Sequence, residues 1–127
     1  MNDIIINGTN KLPTVNLDSY EGLIEITGRS IPEDGKEFYD DIIKWIKDYR
    51  KNPRINTTVT FKFEYLNSSS HISVKNMIRE LNELHADDKA VKLDWYYDFD
   101  YTSMYEISND YKELATMPFD IIRVDKF

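Results

Sequence analysis

The chain has 127 residues, 41% of them hydrophobic and 31% charged, which suits one ordinary packed domain and is too short for two. Sixteen Lys and Arg against 23 Asp and Glu leave a net charge of −7, so a nucleic-acid phosphate backbone is a poor ligand for this surface, because that contact runs on basic side chains. Without Cys there is no disulfide framework, no thiolate metal site and no thiol nucleophile.

Met1 to Pro13 contain no basic stretch followed by a long apolar run, and nowhere do about 18 apolar residues follow one another. The expectation is a cytoplasmic chain with neither leader nor membrane span. Leu12 to Leu17 reads as a weak strand and Gly22 to Thr27 as a better one, since Ile24 and Ile26 alternate with Glu25 and Thr27. A turn through Asp18, Ser19, Tyr20 and Glu21 would join them as a hairpin.

From Pro32 the period changes. Phe38, Ile42, Trp45, Ile46 and Tyr49 fall on one stripe of a helix, with Pro32, Glu33 and Asp34 as its first turn and Asn52-Pro53 ending it. Thr58 to Tyr65 has the cleanest alternation in the chain, with Val59, Phe61, Phe63 and Tyr65 on one face and Thr58, Thr60, Lys62 and Glu64 on the other. A second helix carries Val74, Met77, Ile78, Leu81 and Leu84 as its core stripe, and Ser68, Ser69 and Ser70 stand where a cap belongs. Val91 to Tyr97 repeats the strand pattern. A weaker third helix spans Ser103 to Leu114, and Phe119 to Val124 supplies the last strand.

The order ββαβαβαβ implies crossover connections and a largely parallel centre, in an α/β domain covering residues 1–127. The expected sheet is mixed, of about five strands, with three helices mostly on one face. Strands covered on both faces read as continuous apolar runs, whereas these alternate, so the other face should be wet or open to a partner.

Candidate chemistry is sparse. His71 and His85 are separated by about four helical turns, too far to share one ion, and neither stands in a zinc-ligand motif. No G-x-S-x-G elbow or phosphate-binding glycine loop is present. Asp94, Asp98 and Asp100 cluster at a strand end but lack a calcium-loop pattern, so they read as solvated loop acids. Trp95, Tyr96 and Tyr97 could stack bases, yet no basic groove accompanies them. No metal or cofactor is expected.

There remains Tyr65-Leu66-Asn67-Ser68-Ser69-Ser70, which runs from the best strand into a helix. One of the serines would cap that helix, contributing about 1 kcal/mol, but a cap does not need three. A hydroxyl at the positive end of a helix dipole can also accept phosphate, adding about −1.5 to −2 charges at one point.

Four segments then carry a resemblance: Gly28-Arg29-Ser30-Ile31-Pro32-Glu33, Tyr65-Leu66-Asn67-Ser68-Ser69-Ser70, Asp94-Trp95-Tyr96-Tyr97-Asp98 and Met117-Pro118-Phe119. Together they resemble the SiaC family of bacterial regulatory phosphoproteins, which are similar in arrangement to the STAS-like anti-sigma-factor antagonists. The resemblance implies partner switching. A serine/threonine kinase of the anti-sigma-factor type modifies the hydroxyl after the Asn, a PP2C-type phosphatase reverses this, and the unmodified form binds an effector such as a diguanylate cyclase. Carried onto this chain, the acceptor is Ser68. The family commonly has Thr there, and His71, Ile72 and Ser73 lengthen the segment, which leaves Ser69 and Ser70 as alternatives.

The resulting expectation is a non-catalytic switch phosphorylated on Ser68, with Asn67, Ser68, Ser69, Ser70 and His71 forming the partner surface. Two rivals stand beside it. One is a constitutive interaction module using the polar sheet face around Thr60, Lys62, Lys92 and Tyr96; the other is a small metal-dependent enzyme using Asp94, Asp98 and Asp100.

Overall fold

In the computed structural model, which describes residues 2–125, the strands lie side by side in the order in which they occur along the chain. The elements are β1 (Ile4–Ile6), β2 (Thr14–Asp18), β3 (Leu23–Ser30), α1 (Gly35–Tyr49), β4 (Asn56–Leu66), α2 (Ser68–Ala86), β5 (Ala90–Asp98), α3 (Thr102–Leu114) and β6 (Phe119–Val124). Pairing is antiparallel for β1 with β2 and β2 with β3, then parallel from β3 through β6. Among the described residues the sheet has six strands rather than the expected five. The extra one, β1, is a run of three isoleucines, too short to show any alternation.

Sequential parallel neighbours joined by right-handed crossovers must place α1, α2 and α3 on the same side of the sheet. The burial pattern agrees. Val15, Leu17, Ile24, Ile26, Val59 and Phe61 are all fully buried, and the residues that alternate with them face away from the core. Against them α1 lays Tyr39, Ile42, Trp45, Ile46 and Tyr49, and α2 lays Val74, Met77, Ile78, Leu81 and Leu84. The opposite face is held by polar pairs: Lys62 sits 4.7 Å over the Tyr96 ring, and Lys92 bridges Asp94 and Asp120.

One strand departs from simple alternation. The β3–β4 register slips after Gly28, so Gly28 pairs with Phe63 but Arg29 pairs with Tyr65, leaving Glu64 as the extra residue of a bulge. Gly28 has φ of 114°, which an L side chain rarely adopts. The slip reverses the alternation at the end of β4. Tyr65, expected inside with Phe61 and Phe63, is exposed, and Leu66 is buried in its place.

The helix starts also differ from expectation. Asp34 caps α1 by accepting from the Glu37 N–H at 3.1 Å, so the helix begins at Gly35 and Pro32 precedes the cap instead of forming the first turn. Asn67, and none of the serines, caps α2.

Candidate functional site

The bulge aims the end of β4 so that the chain leaves the sheet at Leu66, which is buried, and turns at once into α2. Asn67 fixes that turn. Its backbone N–H donates to Ser30 O at 2.9 Å, tying it to the end of β3, and its side-chain Nδ2 donates to Pro32 O at 2.8 Å, tying it to the segment before α1. Its Oδ1 accepts from Ser70 N–H at 3.1 Å, from Ser70 Oγ at 2.7 Å and from Ser69 Oγ at 3.2 Å. Asn serves here because one amide supplies a donor towards Pro32 and an acceptor towards the helix, which Ser cannot do at the same time over that span.

The three serines behind this cap have different surroundings. Ser68 is the first residue of α2 and is exposed. Ser69 is half-buried between Asn67 and Pro32. Ser70 is fully buried, its Oγ 2.8 Å from Ser30 Oγ, which in turn lies 2.6 Å from the Tyr39 hydroxyl. The Ser70 Oγ proton faces two acceptors with no proton to give, Asn67 Oδ1 at 2.7 Å and the Ser30 carbonyl oxygen at 3.2 Å, the nearer of which is Asn67. Ser70 therefore accepts from Ser30, and Ser30 accepts from Tyr39, so the protons in the chain all point towards the cap. Burial holds the Tyr39 phenol well above its usual pKa, and it stays a donor throughout the ordinary pH range. Of the serines that sequence could not separate, Ser70 is therefore sealed in a structural relay and Ser68 is open.

His71 lies one helical turn beyond Ser68 on the same side of α2. Its ring stacks on Tyr111 at 6.0 Å and its Nδ1 meets the Tyr111 hydroxyl. Burial, with Lys75 nearby as the smaller cause, lowers its pKa. The first turn of α2 holds no acid, in contrast to α1, whose first turn carries Glu37 behind the Asp34 cap.

Tyr39 does not stand out in the sequence, and Ser30 does so only as a member of the Gly28–Glu33 segment. Ser30 is a small polar residue at a strand end, and Tyr39 stands beside Phe38, with which it makes an edge contact at 4.9 Å. The helical period, which puts residue 39 with 42, 46 and 49, could have found it.

The structure does not assemble the acidic alternative. Asp94 and Asp98 are four residues apart on one strand, about 13 Å. Asp94 pairs with Lys92, and Asp98 accepts from the Asp100 N–H at 2.9 Å. Among the described residues no group of three His, Asp or Glu is placed to hold an ion. Trp95 is fully buried against Phe61, Phe63, Tyr111 and Phe119, while Tyr96 lies on the opposite face. The Trp95-Tyr96-Tyr97 run therefore forms no stacking platform. No described helix is long and apolar enough to cross a membrane.

Comparison with known proteins bears on the whole chain. A sequence model described as SiaC family regulatory phosphoprotein matches residues 6–124. An uncharacterized protein of Pseudomonas aeruginosa strain UCBPP-PA14 is 27% identical over 95% of this chain and 96% of its own. The crystal structure of apo-SiaC from Pseudomonas aeruginosa superposes with a TM-score of 0.89 at 27% identity, covering 96% of this chain and 99% of that one. A second structure, of the diguanylate cyclase SiaD in complex with its activator SiaC from the same organism, also gives 0.89, at 26% identity over 96% of this chain and all of that one. The STAS-like description thus gives way to the SiaC fold itself, on which the sheet and helices superpose.

Proposed function

This chain belongs to the SiaC family of regulatory phosphoproteins, and from that premise we propose that it is a non-catalytic partner switch controlled by a phosphate on Ser68. The observation that carries this reading is the contrast within one helical turn. Ser68 offers an exposed hydroxyl at the positive end of α2, while Ser70 is buried. A kinase of the anti-sigma-factor type would modify Ser68 and a PP2C-type phosphatase would restore it. The unmodified form would bind and regulate a signalling effector in the cytoplasm, and the complex of a related activator with a diguanylate cyclase supports a cyclase as that effector.

The physical basis is local. A phosphate brings about −1.5 to −2 charges to a helix terminus that favours anions, so the modified state is itself well accommodated. The same charge desolvates poorly and repels acids, so a partner that packs on Asn67, Ser68, Ser69 and His71 is expelled. Incubation with the cognate kinase and ATP followed by mass spectrometry tests the assignment, with phosphate expected on Ser68. Phosphate found only on residues other than Ser68 rejects it. Ser68→Ala should keep effector binding and Ser68→Asp should weaken it; equal affinity of the two variants rejects the electrostatic mechanism.

A further inference from the structure

A second surface lies on the far side of Pro32. Between the β1 edge strand, the β1–β2 connection and the start of α1 runs an open cleft of about 740 Å³. Its floor is apolar, formed by Ile6, Leu12, Phe38 and Ile42. Its rim is acidic: Glu33, Asp34, Glu37 and Asp41 stand along it, opposed among the described residues by the single cation Lys11. Glu33, Glu37 and Asp41 take part in no ion pair among the described residues, although the neighbouring Asp40 and Asp48 do. Glu37 and Asp41 follow the spacing i, i+4, which puts them on one side of α1, with the Asp34 cap just before them.

An apolar trough whose rim carries Glu33, Glu37 and Asp41, three carboxylates in no ion pair among the described residues, is complementary to one kind of occupant. We infer that this cleft docks an amphipathic basic helix of a partner protein, with apolar side chains on the floor and lysines or arginines along the carboxylate rim. A polar or acidic segment would leave the floor unfilled and the rim unpaired. The cleft is distinct from the Ser68 turn, and the inference does not depend on phosphorylation.

The test uses the unmodified full chain and a synthetic helical peptide of about 18 residues carrying a leucine stripe flanked by lysines. Two-dimensional NMR of the labelled protein should show saturable one-to-one binding, with shifts concentrated at Ile6, Leu12, Phe38 and Ile42. Glu33→Lys combined with Asp41→Lys should weaken binding at least about tenfold, whereas Glu83→Lys combined with Glu113→Lys, an equal charge change on exposed positions of α2 and α3, should leave it within about twofold. Both double variants alter exposed residues, so folding is retained. Three outcomes overturn the inference: no saturable binding, equal weakening by both double variants, and self-association of the wild-type chain that Glu33→Lys with Asp41→Lys abolishes. The last would assign the cleft to a second copy.

Discussion

Gly35 and Ser69 meet backbone to backbone where the first turns of α1 and α2 touch: a Cβ at Gly35 would stand 2.4 Å from the Ser69 carbonyl oxygen. In an isolated helix Gly→Ala is worth about 1 kcal/mol of stabilisation. Here the methyl would meet main chain, which cannot rotate away, and overpacking of that kind costs about 1–3 kcal/mol. Gly35→Ala should therefore lower the urea midpoint despite its better propensity, and should push the Ser68 turn away from Pro32. A variant more stable than the parent would show that the two helix starts are not in contact.

Asn67 gathers five hydrogen bonds from its side chain and its own N–H, so its replacement is expected to cost more than a simple cap. Asn67→Ala removes the cap, worth about 1 kcal/mol, and takes from the buried Ser70 hydroxyl its nearer acceptor, leaving it the longer bond to Ser30 O, a further loss of about 1 kcal/mol. Asn67→Asp retains the acceptor towards the helix but sets a carboxylate oxygen against the Pro32 carbonyl in place of the donor, so it should recover only part of the loss. Denaturant titration of the two variants checks the order, and an equal loss would mean that the bond to Pro32 dominates.

Stability should separate the serines as sharply as exposure does. Ser70→Ala breaks the relay from Tyr39 to Asn67 and should destabilise by about 1–3 kcal/mol. The exposed Ser68 hydroxyl makes no hydrogen bond among the described residues, so Ser68→Ala should fall within about 0.5 kcal/mol of the parent. Calorimetric melting of both variants decides it. A costly Ser68→Ala would mean that the Ser68 hydroxyl is part of the fold.

The strands that carry the sheet were legible because one face of each is buried and the other is not: Ile24 and Ile26, Val59 and Phe61, Leu93 and Trp95 all alternate with polar neighbours. Alternation fails at bulges, and no local signal announced the extra Glu64, since the slip is set by Gly28 on a neighbouring strand. That is why Tyr65 was placed inside. The site was half legible. Three serines before a core stripe located the turn, but a hydroxyl's burial is decided by tertiary partners, and those of Ser70 lie 31 and 40 positions earlier in the chain, at Tyr39 and Ser30. Asn67 takes the capping role because its one amide accepts from the Ser70 N–H and donates to Pro32 O at the same time.

His71 gives the Ser68 turn a pH signature that phosphorylation should reverse. Burial and Lys75 place its folded pKa below the ordinary 6.5, so at pH values between the two the unfolded chain binds more protons than the folded one. This contribution to stability is complete above pH 6.5 and is lost as the pH falls from there towards the folded value. The urea midpoint should therefore drop on acidification through that window, and His71→Gln should flatten the drop. A phosphate on Ser68, one turn away on the same side of α2, favours the protonated ring and so raises the His71 pKa. Proton NMR of the imidazole, titrated in the unmodified and phosphorylated chains, should show that upward shift. An unchanged titration would mean that the anion is not held beside His71, and that partner release cannot be explained by charge placed at this turn.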